Sequence, residues 1–162
     1  MSKIVLKTVA ELKEMLSGAV AKAVKSGALP SVDEPSKFTV EVPADNKNGD
    51  FSTNIAMVNA KKFKMAPQQI AKVICDNLNL EGTFFERVEI AGPGFINFFL
   101  AKEFYDAIIG DILALGENYG RSDFGQGKKV MVEFVSANPT GPMHMGNARG
   151  GALGDCLAAV LD

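Results

Sequence analysis

The stretch HMGN, residues 144 to 147, sets the chain's only histidine three residues ahead of an asparagine, with a glycine between them. Side chains three apart at the start of a helix share one face, so an imidazole and a carboxamide here converge on a common ligand. Gly146 lacks the Cβ that would hold such a ligand away from the backbone. Just upstream, KVMVEFV (129 to 135) is a run of β-formers of the kind found in buried parallel strands. A Gly/Pro/Asn loop, stiffened by Pro139 and Pro142, leads from it to a helix expected over about 147 to 161. A strand, a glycine-containing loop and a helix is how α/β folds aim helix-terminal amides at anions. The amides near 146 to 148 are expected to lack intrahelical partners, with the macrodipole adding positive character. No Gly-Lys-Ser/Thr follows the glycines and no Gly-x-Gly-x-x-Gly follows the strand, so neither a Walker loop nor a dinucleotide fingerprint is present. Nucleotide phosphate binding by another device is what remains.

A second candidate lies at FINFFL (95 to 100), joined to TFFERVEI by AGPG as a hairpin. On a strand, Ile96, Phe98 and Leu100 take one face, and Phe95, Asn97 and Phe99 the other. The first face is wholly apolar and should meet helices. The second sets an amide between aromatics, the equipment for stacking an unpaired base and reading its edge.

The elements that must position these groups are legible upstream. Leu12, Met15, Leu16, Ala19, Val20, Ala23 and Val24 repeat at helical spacing, with a capping box expected from Thr8 and Glu11. KFTVEV (37 to 42) alternates as a half-buried strand, and PADNKNGDFSTN is a polar loop with Asp50 or Ser52 as cap for a helix over about 51 to 63. Pro67 opens another helix, with Ile70, Val73, Ile74 and Leu78 as its stripe, and AKEFYDAIIGDILALG returns to helix. ENYGRSDFGQGKK has three glycines and no periodicity, the marks of a boundary. Three glycines in the last helix, Gly150, Gly151 and Gly154, imply close backbone packing or a ligand at its start.

At 162 residues, 47% hydrophobic and 22% charged, the chain suffices for one good core, or for one domain and part of another. A net charge of −2 excludes a strongly basic nucleic-acid module but leaves room for RNA contact by shape and stacking. No apolar run is long enough for a membrane span, and no secretion signal is evident. One histidine and two distant cysteines supply too few ligands for a zinc site, so no protein-bound metal is expected. Cys75 and Cys156 are read as reduced and cytosolic.

HMGN resembles the "HIGH" signature of class I aminoacyl-tRNA synthetases, and VEFVSANPTGPMHMGNARGGALGD (132 to 155) is similar to the arginyl-tRNA synthetase version of that segment. NGDFSTNIAM (48 to 57) and VEIAGPGFINFFL (88 to 100) resemble the additional N-terminal domain of the same family, in the same order. The resemblance implies an α+β N-terminal domain, a small antiparallel sheet packed with helices over 1 to 120. A linker at 121 to 128 follows, then the first strand–loop–helix of a Rossmann-like catalytic domain from 129 to 162. It implies that His144, Gly146 and Asn147 bind ATP, the first and last acting in catalysis, and that Glu133, Ser136 and Asn138 line an arginine pocket. A carboxylate suits that pocket, because a guanidinium presents a planar fork. It also implies that Phe95 and Asn97 touch the D-loop of tRNA-Arg. Asn147 stands where the family's last signature position is usually histidine; its amide donates a hydrogen bond but carries no charge.

The expected reaction is attack of the carboxylate of L-arginine on the α-phosphate of ATP, with Mg2+, then transfer to the 3′ end of tRNA-Arg. A cytoplasmic, monomeric ligase is the expectation for the full-length enzyme. A doubly wound sheet, a second ATP loop and an anticodon-binding domain all need more chain, so residues 1 to 162 alone are expected not to aminoacylate. The competing readings are a free-standing RNA-binding module with a vestigial nucleotide loop, and a nucleotide-binding protein unrelated to tRNA.

Overall fold

A computed structural model describes residues 3–32 and 34–161. It divides into two compact units, one running to Gly120 and the other starting at Arg121.

The first unit begins with α1 (Lys3–Lys25) and continues through β1 (Val40–Glu41), β2 (Phe51–Thr53), α2 (Ile55–Phe63), α3 (Pro67–Asn77), β3 (Phe85–Ala91), β4 (Phe95–Leu100) and α4 (Lys102–Leu115). The strands form one antiparallel sheet in the order β1-β2-β4-β3. α1, α2 and α3 supply one wall of the core through Leu12, Leu16, Ala23, Ile55, Phe63, Ile70 and Ile74, and the sheet supplies Phe51, Phe85, Ile96 and Phe98. Phe85 packs edge-on to both Phe51 and Phe98, at centroid distances of 6.2 and 5.4 Å. The small antiparallel sheet with helices is the expected α+β architecture. Ile96 and Phe98 are fully buried, as strand alternation requires.

Three expectations are corrected here. α1 starts at Lys3, so Thr8 is no cap; its hydroxyl donates to the Ile4 carbonyl at 2.9 Å, one turn back. Residues 51–53 are a strand rather than the start of a helix, and α2 begins after Asn54. Neither Asp50 nor Ser52 caps that helix. The Asp50 carboxylate instead accepts from the Leu100 amide at 2.8 Å and the Tyr105 hydroxyl at 3.0 Å. Finally, the strand expected over 37 to 42 shortens to Val40–Glu41. Side chains occupy the backbone just before it: Thr53 Oγ1 donates to the Thr39 carbonyl at 2.7 Å, and Asn54 Oδ1 accepts from the Thr39 amide at 3.0 Å. Both backbone groups of Thr39 are thereby satisfied without a ladder. Buried Asn59 does similar service, its Oδ1 accepting from the Ser36 amide at 2.7 Å.

In the second unit, α5 spans Met145–Leu161. The strand expected over 129 to 135 does not form: these residues join no ladder among the described residues, Val135 turns the backbone to φ +58°, and Met131 is 92% exposed. A parallel strand takes its hydrogen bonds from neighbouring strands, and residues 121–161 contain none. Close packing does account for two of the three helix glycines. A Cβ on Gly154 would overlap the Phe134 side chain, and one on Gly151 would stand 3.1 Å from Val135 Cγ2.

Candidate functional site

The outer face of the sheet, opposite α1, α2 and α3, carries the first site. Register places Glu41 opposite Ser52, Ser52 opposite Asn97, and Asn97 opposite Glu89, so these four polar residues form one row across all four strands. Ser52 Oγ donates to Asn97 Oδ1 at 2.8 Å, with both residues buried. That bond fixes the carboxamide, and Nδ2 has no protein partner among the described residues. Glu41, Ser52 and Asn97 of this row floor a depression of about 310 Å³ lined also by Pro43, Asn48, Ala91, Gly92 and Phe95. Such a volume sits at the low end of small-ligand pockets, about 300–1,000 Å³. An aromatic wall, a fixed amide donor and the Glu41 carboxylate can hold a flat, hydrogen-bonding group.

The turn before β2 shapes the rim. Gly49 has φ +83°, and a Cβ there would lie 2.6 Å from the Phe98 carbonyl oxygen. Only glycine lets this turn press on β4. The Asp50 amide donates to that same carbonyl at 2.9 Å, holding Asn48 beside the depression. Phe99, the second aromatic of β4's outer face, is covered on one side. Arg87 stacks on its ring with the guanidinium carbon 3.4 Å from the centroid, a cation–π contact of about 0.5–1 kcal/mol at an open site. Arg87 also pairs with Glu89 and, at 3.7 Å, with Glu86.

Thus Phe95 and Asn97 share one depression, as strand alternation anticipates. Ser52, Glu41 and Asn48, which also line it, and Glu89 and Arg87 beside it escape a reading of the sequence. Ser52, for one, joins through register with Asn97, 45 residues along the chain, for which a single sequence carries no local signal.

The second site lies within residues 133–147. Ser136, Asn138, His144 and Asn147 line a depression of about 430 Å³ with Thr140 and Pro142. Glu133 adjoins it through Ser136, whose hydroxyl donates to Glu133 Oε1 at 2.5 Å. The other carboxylate oxygen has no partner among the described residues. His144 immediately precedes α5 and caps it. Its Nδ1 accepts from the Gly146 amide at 3.0 Å, and its own amide donates to Asn147 Oδ1 at 3.1 Å. The result is a variant of the capping box: the cap's ring satisfies the amide of the second helical residue, and the side chain of the third satisfies the cap's own amide.

The amides at 146 to 148 are therefore not free, against the sequence expectation. Asn147 and Ala148 both donate to the His144 carbonyl, at 2.9 and 3.2 Å, and Gly146 to its ring. The imidazole lies over Gly146, where a Cβ would fall 2.8 Å from His144 Cε1. With Nδ1 accepting, the neutral ring carries its proton on Nε2, and Nε2–H is its outward donor. On Asn147 the remaining donor is Nδ2. Among the described residues no group of three or more His, Cys, Asp or Glu could hold a metal ion. No helix of the described residues is long and apolar enough to cross a membrane.

An antiparallel α+β unit with an amide-and-aromatic depression on its open face, together with a His-x-Gly-Asn helix cap, defines a class that known proteins make definite. Residues 10–100 match the family model described as arginyl tRNA synthetase N terminal domain. The chain belongs to the arginyl-tRNA synthetase family. It is 53% identical to the arginine–tRNA ligase of Acetivibrio thermocellus over 94% of its length, and 52% identical to that of Caldanaerobacter subterraneus subsp. tengcongensis over 100%. It spans 27 and 29% of those two relatives. Among solved structures, the arginyl-tRNA synthetase of Plasmodium falciparum superposes with a TM-score of 0.55 at 26% identity, over 92% of this chain and 27% of that one.

Proposed function

We propose that this chain is the tRNA-contacting N-terminal part of an arginine–tRNA ligase together with the opening of its catalytic domain. Residues 1 to 120 contact tRNA-Arg, residues 121 to 128 link, and residues 129 to 162 contribute to the binding of ATP and L-arginine. Two unpaired cysteines suit a reducing cytoplasm.

The observation that carries this reading is the depression beside β4. Asn97 has one end of its carboxamide fixed by Ser52 and the other free to donate, with Phe95 alongside. Stacking on Phe95 tolerates any base, and the Asn97 donor discriminates among base edges. The chain's net negative charge requires that contact be made by such means rather than by charge.

In the second unit the groups left over after capping suit adenylation. Nε2–H of His144 and Nδ2–H of Asn147 are donors toward phosphate oxygens, and the open oxygen of Glu133 is an acceptor for a guanidinium. The carboxylate of arginine attacks the α-phosphate, the bond to pyrophosphate breaks, and the arginyl group then passes to a ribose hydroxyl of the tRNA with release of AMP. Positioning and charge stabilisation accomplish this without a protein nucleophile. Mg2+ enters as the counter-ion of the triphosphate.

The test is binding of a tRNA-Arg transcript to the wild-type chain and to Phe95→Ala and Asn97→Ala. Each variant should weaken binding about fivefold or more while Tm stays within a few degrees. Wild-type affinity in both, or no binding by the parent chain, overturns the reading.

A further inference from the structure

We infer that Arg87 is a second stacking platform on the sheet's outer face, so that β4 and β3 together seat two splayed bases of one unpaired RNA segment. The inference rests on the tRNA-contacting reading above and extends it to a residue outside the depression.

Phe95 and Phe99 point to the same side of β4, four residues apart, about 13–14 Å along a strand. They are not equivalent. The Phe95 ring lines the open depression. The Phe99 ring is half-buried, and the Arg87 guanidinium covers one of its faces at 3.4 Å. A base approaching that face meets Arg87 first. What Phe99 presents outward is the plane of Arg87, half exposed at 49% and held flat by the aromatic beneath it. A guanidinium plane stacks bases as an aromatic does.

Charge argues for a base here rather than a phosphate. Arg87 is flanked by Glu86 and Glu89, and Glu41 lies further along the same face, so the neighbourhood carries more negative than positive charge. A phosphate would meet two carboxylates at the edge of the guanidinium; a base lying on its face meets neither. The two platforms stand much farther apart than the ~3.4 Å step along one strand of a stacked duplex. Bases on Phe95 and Arg87 therefore cannot be neighbours in one stack, and only an unpaired, opened-out segment supplies them.

The experiment measures binding of a tRNA-Arg transcript to the 162-residue chain and to Arg87→Ala, Arg87→Lys and Phe95→Ala across a salt series. Arg87→Ala should weaken binding about fivefold or more. Arg87→Lys keeps the charge and the aliphatic cover over Phe99 but loses the plane, so it should lose as much at an unchanged Tm. The slope of log Kd against log salt should stay as in the parent. Wild-type affinity in Arg87→Ala overturns the proposal. So does rescue by lysine, or a slope lowered by about one in Arg87→Ala, either of which makes Arg87 a phosphate contact. Loss in Phe95→Ala with none in Arg87→Ala sinks this inference alone; no loss in either sinks the tRNA-contacting reading with it.

Discussion

Asp50 is one carboxylate serving two elements. One oxygen holds the Leu100 amide at the end of β4, and the other holds the Tyr105 hydroxyl on α4. Asp50→Ala leaves the Leu100 amide without its acceptor and should cost about 1–3 kcal/mol in urea melts. Tyr105→Phe removes only the hydroxyl of a half-exposed residue, so its cost should be about 0.5–1 kcal/mol. That smaller loss has a pH signature. Burial, then the hydrogen bond to Asp50, raises the Tyr105 hydroxyl above its ordinary value of 10.0. The folded state holds this proton more tightly than the unfolded one, so the contribution is complete below the ordinary value and disappears as pH rises through the folded one. The stability gap between wild type and Tyr105→Phe should be flat from neutrality to mildly alkaline pH and close only in strongly alkaline buffer. A gap that narrows below pH ~9 contradicts this. The thiols differ in the same chemical language. Burial pushes Cys75 up to about 11, whereas Cys156 is exposed. Thiolate is the reacting form, so a thiol reagent at about pH 8 should label the native chain once, at Cys156, and twice only after denaturation. Rapid double labelling of the native chain would show that Cys75 is not protected.

At the level of elements, turns decide whether β3 and β4 meet α3 correctly. Gly94 has φ +126°, and a Cβ there would lie 2.9 Å from the backbone carbon of Pro67, at the start of α3. Backbone cannot yield as a flexible side chain would, so Gly94→Ala should cost about 2–4 kcal/mol. Gly92, two residues away with φ +52° and open space around it, should lose only about 1 kcal/mol as alanine. Equal urea midpoints for the two variants would contradict this account. Local features of this kind were legible in AGPG, as were the α1 stripe and the alternation of FINFFL, because period and turn chemistry lie within a few residues. Long-range partnerships were not. FST reads as the start of a helix because cap residues surround it; it is a strand because β1 and β4 flank it, one of them more than 40 residues away. Thr8 and Glu11 have capping-box spacing, yet the helix already runs past them from Lys3. The site divides along the same line. Phe95, Asn97 and the His144–Asn147 spacing follow from local pattern, whereas Ser52 and Arg87 join through register. The mutual capping of His144 and Asn147 also lay beyond the pattern, since spacing alone does not distinguish side chains facing a ligand from side chains closing the helix end.

Across the whole molecule, burial is distributed very unevenly between the two units. Every buried member of the core cluster falls between Leu12 and Phe98, with Phe104 buried just beyond. Among the described residues from Arg121 onward only Gly154 is buried, and Leu153, Leu157 and Val160 on α5 are 72, 47 and 82% exposed. Apolar burial is the main favourable term in folding and is cooperative within one packed core. A chain ending at Gly120 should therefore keep the sheet, α1, α2 and α3, and should melt in one transition within a few degrees of the whole chain. Its affinity for a tRNA-Arg transcript should also be retained, since Phe95, Asn97, Ser52 and Arg87 all lie before the cut. Hydrogen exchange on the 162-residue chain supplies the complementary view. Amides of α1, β2 and β4 should exchange only through global unfolding, and those from Arg121 onward through cheap local opening. α5 then reports on its cap: His144→Ala withdraws the acceptor of the Gly146 amide and should speed exchange in the helix's first turn while leaving β4 untouched. Should the shortened chain lose its cooperative transition, the buried cluster of the first unit is not sufficient for folding. Global-level protection of the amides beyond Arg121 would likewise refute the division of stability between the two units.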